Sequence, residues 1–374
     1  MGTSPEHAHW MTLFLCGDVM TGRGIDQLLP HPSAPRLHES YVRSALQYVR
    51  LAELANGPVS KPVEFAYIWG DALAELERLA PDVQIINLET AISTSDAYLP
   101  KGINYRMHPK NIPALSVAGI HCAVLANNHV LDWGEGGLAE TLETLARVGI
   151  RTAGAGMDLT AATAPAVLPV GDKGRVLVFA FGTGSSGIPR DWAAGVSHAG
   201  VARLEDLSPA TVRQIGERVR KVKRVGDLVV ASLHWGGNWG YQIPTQHTAF
   251  AHGLIDEADV DIVHGHSSHH VLAIEVYRQR PILYGCGDFL NDYEGIEGYE
   301  SYRGDLGLMY FPRMDVASGT LIRLDMTPTR LKQLRVNRAS QEDAQWLAAV
   351  LNREGRRFRT GAAVNEDNRL TLLW

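Results

Sequence analysis

This 374-residue sequence predicts a mixed α/β fold organised around a parallel sheet. Three observations carry that expectation. Short apolar runs alternate with helix-length amphipathic stretches through the first two thirds of the chain, as in parallel sheets covered by helices. After His270 the apolar runs become short and closely spaced, as in antiparallel strands joined by tight turns. The composition, 45% hydrophobic and 20% charged, is that of a globular chain long enough to bury a large core without disulfide staples.

In chain order, Thr12 to Cys16 reads as the first strand, ending in Gly17-Asp18. Residues 27–60 mix Pro and His with a helix-like stretch from Tyr41 to Leu54 and read as a surface insertion. A helix from Trp69 to Leu79 shows Leu73, Leu76 and Leu79 on one face and stops before Pro81. Strands follow at Val83–Ile86 and Cys122–Leu125, then a helix from Glu135 to Val148 capped by Gly149. Further strands fall at Val176–Phe181, Leu228–Leu233 and Val260–Val263, with helices at Pro209–Val225 and Thr245–Ala258. Antiparallel strands are expected at Val271–Tyr277, Ile282–Tyr284, Leu308–Phe311 and Leu321–Met326. A helix from Gln341 to Asn352, N-capped by Ser340, and a strand at Leu370–Leu373 complete the chain. With no linker and no repeat, a single domain over 1–330 is expected, with 331–374 as a strand–helix–strand extension packed on it.

The formal charge of −6 leaves no basic footprint and argues against a nucleic-acid partner. Cys16, Cys122 and Cys286 are far apart and lie in or beside apolar runs, as buried free thiols of a reducing cytosol do. Met1 to Trp10 has neither a charged n-region nor an apolar h-region, Glu6 occupies the position where myristoylation needs Ser or Thr, and no apolar run reaches membrane-spanning length. A cytoplasmic protein without a membrane anchor is the expectation, and the sequence is silent on oligomeric state.

Strand after strand ends in a side chain able to bind metal. The first runs into Asp18, the second into Asn87 and Glu89, the third into Asn128 and His129. Leu228–Leu233 runs into His234, and Val260–Val263 into His264, His266, His269 and His270. The carboxyl ends of parallel strands share one rim, so these positions can converge in a single crevice. Carboxylates, imidazoles and a carboxamide together suit divalent zinc, manganese or iron, and a bridging carboxylate could hold two ions about 3.5–4 Å apart. Each member has a structural alternative. Asp18, Asn87 and Glu89 can cap helices, His129 can sit satisfied beside Trp133, and His234 can pack against Trp235. Four histidines within His264–His270 are either a solvated loop or a buried cluster that needs a cation to offset desolvation.

In sequence order, Gly17-Asp18-Val19-Met20, Asn87-Leu88-Glu89, Ala126-Asn127-Asn128-His129 with Asp132-Trp133-Gly134, Ser232-Leu233-His234-Trp235-Gly236, Gly265-His266-Ser267-Ser268-His269 and Pro281 to Phe289 resemble the successive signatures of the CapA/PgsA group, named for poly-γ-glutamate synthesis. The resemblance covers about residues 11 to 291. It implies a calcineurin-like (metallophosphoesterase) fold, a four-layer αββα sandwich with mixed sheets. It also implies Asp18 on a first metal, Glu89 bridging, Asn128 on a second, and His234, His266 and His269 completing the shells of one or two ions. His129 would be the catalytic acid.

The sequence departs from ordinary phosphoesterases at Met20, which stands where the first motif has histidine, and at the Gly-His-x-x-His spacing of the last motif. Asn238-Trp239 and Asp288 depart from the group's usual residues and point to an altered substrate pocket. Arg23, Asn87, Asn238, Trp239 and Asp288 are the candidate substrate-binding residues, with Arg23 as an anion clamp, and Trp235 and Tyr241 as further wall or core residues. The expected reaction is metal-dependent hydrolysis of a phosphate ester or a γ-glutamyl amide in a small molecule or peptide. The alternative is a non-catalytic accessory subunit of polymer synthesis or export.

Overall fold

In the computed structural model, which describes residues 10–374, the chain opens with β1 (Trp10–Val19), β2 (Val83–Leu88), β3 (Cys122–Val124) and β4 (Arg151–Ala153), all parallel. Most of the N-terminal segment read above for targeting signals lies outside the described residues. The second sheet is built from β5 (Ala166–Val170), β6 (Gly174–Thr183), β7 (Arg203–Leu204), β8 (Asp227–His234), β9 (Ile262–His266), β10 (Ile274–Tyr277) and β11 (Arg280–Leu283), in the order β7-β6-β8-β9-β11-β10 with β5 on β6. The chain then returns to the first sheet with β12 (Asp288–Leu290), β13 (Leu306–Asp315), β14 (Leu321–Lys332), β15 (Arg335–Arg338), β16 (Gly361–Val364) and β17 (Leu370–Leu373). That sheet has the order β16-β17-β14-β13-β1-β2-β3-β4, with β12 on β1 and β15 on β14. Both sheets are mixed. The main helices are α1 (Leu46–Asn56), α2 (Ala72–Leu79), α3 (Gly134–Arg147), α4 (Pro209–Val222), α5 (Thr245–Glu257) and α6 (Gln341–Gly355). None of the described helices is long and apolar enough to cross a membrane.

The apolar runs are continuous because both faces of the central strands are covered. Leu13 and Leu15 of β1 meet Val178, Val230 and Ile262 of the other sheet in one shared core. Phe14 and Ile86, one residue out of phase, pack outward with Val49, Leu76 and Leu138 of α1, α2 and α3. Leu177 and Val229 face outward on the second sheet, against Val212 of α4 and Phe250 and Leu254 of α5.

Several expected boundaries shift for local reasons. β1 does not end at Cys16. It continues to Val19 because β2 and β12 flank it in parallel and supply its hydrogen-bond partners. Regular helix starts at Ala72 rather than Trp69, since Gly70 takes φ +46° under the carbonyl of Val336. Helix α1 starts at Leu46, later than the expected Tyr41. Residues 27–60 are mostly exposed or half-buried but are anchored at a few points: Tyr48, Val49 and Ala52 are buried, and Glu39 reaches Arg23. β14 runs to Lys332, well past Met326, along its full pairing with β13. Ser340 caps α6 by accepting from the Asp343 amide at 3.1 Å, and Gly149, at φ +78°, closes α3. In the last segment, β16 and β17 extend the first sheet through β14. The three cysteines are buried free thiols.

Candidate metal centre

β1 carries Asp18 between two neighbours in register, Asn87 of β2 and Asp288 of β12. This placement depends on two glycines. A Cβ on Gly17 would lie 1.7 Å from the Gly287 carbonyl oxygen, so only glycine lets the 286–288 strand approach, and the Asp18 amide then donates to Gly287 at 3.0 Å. β8 and β9 end side by side, with His234 paired to His266. The turn beyond His266 places Ser267 at φ +97°, where its amide donates to Asp18 Oδ2 at 3.1 Å and the chain returns His269 to the same crevice.

Two groups of potential ligands result, and they share Asp18. Asp18, His234 and His266 each offer an atom within 4.8 Å of the others, as do Asp18, His269 and Asp288. All five residues are buried, as are His264 and His270, so the histidine-rich stretch is not a solvated loop.

The protonation pattern bears on whether these residues fit a cation. The carbonyl of Cys16 can only accept, so the His264 nitrogen 2.7 Å away, Nε2, carries the proton. Burial lowers the His264 pKa to about 4, so the ring is neutral and Nδ1 is a bare acceptor for the Ser232 hydroxyl at 3.1 Å. The Ser232 oxygen then accepts from His266 Nε2 at 2.8 Å. Burial, followed by His234 and His264, drives the His266 pKa well down, so that ring is neutral with a bare Nδ1. That lone pair faces Asp18 Oδ1 at 3.7 Å and His234 Nδ1 at 2.8 Å. With Asn128 Oδ1 accepting from His234 Nε2 at 3.1 Å, His234 Nδ1 is bare as well. Two imidazole nitrogens and a carboxylate thus converge on one point, an arrangement suited to a cation.

The carboxylates give the same result. Among the described residues, Asp18, Glu89 and Asp288 form ion pairs only with imidazoles. Burial, then Asp288, raises the Asp18 pKa to about 7, and burial, then Asp18, raises Glu89 well above the carboxylate range. Burial disfavours the imidazolium of His269, but Asp288 and Asp18 outweigh it and raise its pKa. Among the described residues these buried carboxylates have no lysine or arginine partner, as in a site that binds a cation. The donors, carboxylate oxygen and imidazole nitrogen, suit zinc, manganese or iron.

His129 lies at the edge of this cluster. Its Nδ1 donates to Asp132 Oδ2 at 2.7 Å, leaving Nε2 toward Glu89 Oε1 at 3.8 Å. Burial is the main reason its pKa falls to about 4, with Asp132 opposing. The Tyr105 amide also donates to Asp132, at 2.6 Å, and the Tyr105 ring meets His129 edge-on at 4.5 Å. Lys101 pairs with Asp132 Oδ1 at 2.7 Å and donates to the Asn128 carbonyl.

The structure brings Asp18, Glu89, Asn128, His129, His234, His266 and His269 into one crevice but relocates several of the expected substrate contacts. Asn87 is buried and donates to Asp18 Oδ1 at 2.7 Å, so its amide hydrogen is turned toward that carboxylate. Asp288 is buried against His269 Nδ1 at 2.9 Å, inside the second ligand group. Arg23 is not a free anion clamp: it donates to Asp292 (3.1 Å), Glu39 (2.9 Å) and Tyr48 (3.1 Å) and lies over the rings of Tyr48 and Tyr105. Asn238 and Trp239 do line the cavity beside His269, whereas Trp235 is core, donating to the Tyr284 carbonyl at 2.9 Å. His264 acts from behind, through Ser232. His270 flanks the site, accepting from the Gly240 amide at 3.1 Å and stacking on Trp239. Sequence reasoning missed Ser232 and Lys101. Ser232 precedes His234 by two and so shares its face of β8, which was a usable signal; Lys101 sits in an unpatterned loop.

Comparison with known proteins agrees with this ordered set of motifs. The model of the family described as bacterial capsule synthesis protein PGA_cap matches residues 12–293. The chain is 48% identical over 365 residues to a "probable polyglutamine synthesis accessory protein" of Mycobacterium tuberculosis, covering 97% of this chain and 96% of that protein. It is 24% identical over 324 residues to the "capsule biosynthesis protein CapA" of Bacillus anthracis, covering 86% and 68%. It is 26% identical over 215 residues to the "PGA biosynthesis protein CapA" of Bacillus subtilis, covering 57% and 54%. The chain belongs to the PGA_cap family of bacterial capsule synthesis proteins.

Proposed function

We propose that the protein is a metal-dependent hydrolase serving the synthesis of a glutamyl-type polymer, with its two facing sheets forming a calcineurin-like sandwich. The observation that carries this reading is the pair of ligand groups sharing Asp18 beside the His129–Asp132 dyad. Asp18, His234 and His266, with Asn128 adjacent, would hold one divalent ion; Asp18, His269 and Asp288 would hold another, with Glu89 close to both. When bound, such an ion supplies an activated water and polarises a phosphoryl or carbonyl oxygen. Asp132 holds Nδ1–H of His129 and so leaves Nε2 unprotonated, free to take up a proton and then pass it to the leaving group. Lys101 compensates the charge of Asp132, and Asn87 fixes the Asp18 carboxylate through its amide. The substrate is a small molecule or peptide carrying a phosphate ester or a γ-glutamyl amide.

A second reading, a non-catalytic accessory protein of polymer synthesis or export, is favoured by the name of the mycobacterial relative. The experiment that separates the two has two parts. Protein purified without chelator is analysed for metal, and a panel of phosphate esters and γ-glutamyl amides is then assayed with and without manganese or zinc. One or two ions per chain, with metal-dependent turnover lost in His129→Asn, supports the hydrolase. Metal-free protein that ignores added ions, or a loaded protein inert to the whole panel, supports the accessory role.

A further inference from the structure

Two tyrosines from distant parts of the chain meet beside the crevice. Tyr105, fully buried, faces the His129 ring edge-on with centroids 4.5 Å apart. Tyr293, half-buried, faces the His269 ring in the same way at 5.4 Å. The Tyr105 hydroxyl donates to the Tyr293 hydroxyl at 3.0 Å. The pair therefore reaches from the His129 side of the centre to the His269 side. Tyr293 also lines the cavity of about 600 Å³ that opens beside His269.

A phenol offers one proton and can accept as well. Tyr105 directs its proton to Tyr293; its other polar neighbour, the Arg23 guanidinium 4.5 Å over its ring, has no acceptor to offer. Tyr293 accepts with its oxygen, so its own proton is left over. Among the described residues nothing accepts that proton. A donor so placed, in a cavity wall beside a buried polar centre, is satisfied only by water or by a ligand.

The phenol is also held in place in advance. Asp292, the residue before it, accepts from Arg23 at 3.1 Å and from the Gly24 amide at 2.8 Å. Asn291 accepts from the Tyr293 amide at 3.0 Å and donates to Asp288 at 2.7 Å. Tyr293 is thereby tied to the strand that carries Asp288, and Tyr105 fixes its hydroxyl from the other side. A fixed, uncharged donor beside the place where an oxygen gains negative charge is what oxyanion stabilisation requires. Asp288 and Glu89 lie near enough for their charges to act on the phenol. An anion entering here alone would be repelled by them, and one that enters together with the cations these residues would hold is not.

Resting on the metal-dependent reading of the centre proposed above, we infer that the free Tyr293 O–H donates to an oxyanion, phosphate or carboxylate, seated in the crevice between His129 and His269. Tyr105 is the positioning residue that aims it.

The test is calorimetric titration of the full chain, loaded with manganese, with inorganic phosphate and separately with acetate. The first stands for the product of ester hydrolysis and the second for that of amide hydrolysis. Tyr293→Phe keeps the ring and removes only the hydroxyl. It is expected to hold its metal content and its urea midpoint, and to bind the preferred anion at least about ten-fold more weakly than the parent. Tyr105→Phe should weaken the same anion in the same direction and by less. Tyr299→Phe, the same change at a cavity tyrosine that is 51% exposed, should leave the affinity unchanged. Parent-like affinity in Tyr293→Phe, an equal loss in Tyr299→Phe, loss of metal in Tyr293→Phe, or a loaded parent that binds neither anion overturns the inference. Weakened binding in Tyr293→Phe, with a parent inert to every ester and amide, leaves the inference standing and removes the hydrolytic reading. Turnover by the parent that is undiminished in Tyr293→Phe does the reverse. A chain that takes up no metal overturns both.

Discussion

Ser232 contributes no ligand, yet the site should fail without its hydroxyl. It is fully buried between His264 Nδ1 at 3.1 Å and His266 Nε2 at 2.8 Å, donating to the first and accepting from the second. Ser232→Ala leaves both nitrogens unpaired and, more important, removes what fixes the bare nitrogen of His266 toward Asp18 and His234. A ligand imidazole that loses its orienting partner typically loses about 10–100-fold in metal affinity, roughly 1.4–2.7 kcal/mol. Two stranded polar atoms also lower fold stability by about 1–3 kcal/mol each, reduced where a water enters the vacated space. The assay is competition titration of manganese or zinc against a fluorescent chelator, with circular dichroism and urea unfolding in parallel. The expected result is a folded protein whose Kd for metal is raised at least about ten-fold. A variant that binds metal as tightly as the parent would show that the tautomer of His266 is not set through Ser232, and the argument from converging lone pairs would go with it.

His129→Asn should leave metal content unchanged and lower turnover on any accepted substrate by about 10²–10⁴-fold; metal analysis and initial rates check both halves, and undiminished turnover would remove His129 from the reaction. Arg23→Met should cost about 3–5 kcal/mol of stability, read from urea midpoints, because it strands the buried carboxylates of Asp292 and Glu39; a loss within about 0.5 kcal/mol would mean that these ion pairs do not hold the segment in place. Burial alone would raise the Glu75 pKa, but Arg369, Arg78 and Arg338 outweigh it and hold it at about 2. The carboxylate therefore contributes stability that is fully present above about pH 4.5 and is lost as the pH falls toward 2. After allowance for the partly exposed arginines it amounts to about 2 kcal/mol. The stability gap between the parent and Glu75→Gln should accordingly close between pH 5 and pH 2.5, roughly, and a gap that stayed constant over that range would count against the clamp.

The legible parts of this protein are those whose signal is local. Apolar runs ending in Asp18, His234 and His266 announced a rim of ligands, because strands buried on both faces leave polarity only at their ends. Ser340 and Gly149 announced helix ends by their own chemistry. What was not legible depends on contacts between distant segments. The extension of β1 through Asp18 requires β12 to arrive alongside it, which Gly17 and Gly287 permit only jointly. Arg23 reads as an unattached cation in sequence, because Asp292, its bidentate partner, lies almost the length of the domain away and Glu39 lies in a segment with no clear pattern. Asn87 and Asp288 read as pocket residues since nothing in either motif reveals that their strands flank Asp18 in register.

That register also bears on the missing first-motif histidine. Met20 is buried and offers no nitrogen donor, so the first motif supplies one ligand fewer than that of ordinary phosphoesterases. Yet β12 places Asp288 opposite Asp18, and Asp288, Asp18 and His269 present their donor atoms within 4.8 Å. A carboxylate from another strand thus lies within reach of Asp18 and His269. Asp288 also orients His269 through Nδ1 at 2.9 Å and is itself fixed by Asn291 at 2.7 Å, so loss of metal in Asp288→Ala alone would not separate ligation from positioning. Asp288→Asn does separate them: the amide oxygen can still accept from His269, but the negative charge is gone. If Asp288 ligates, the Asn variant should lose one ion per chain, or at least about ten-fold in affinity for it, while Ser232→Ala weakens the other group. If the Asn variant keeps full metal content and affinity, Asp288 only positions His269, and the protein works with the thinner shell that Met20 implies.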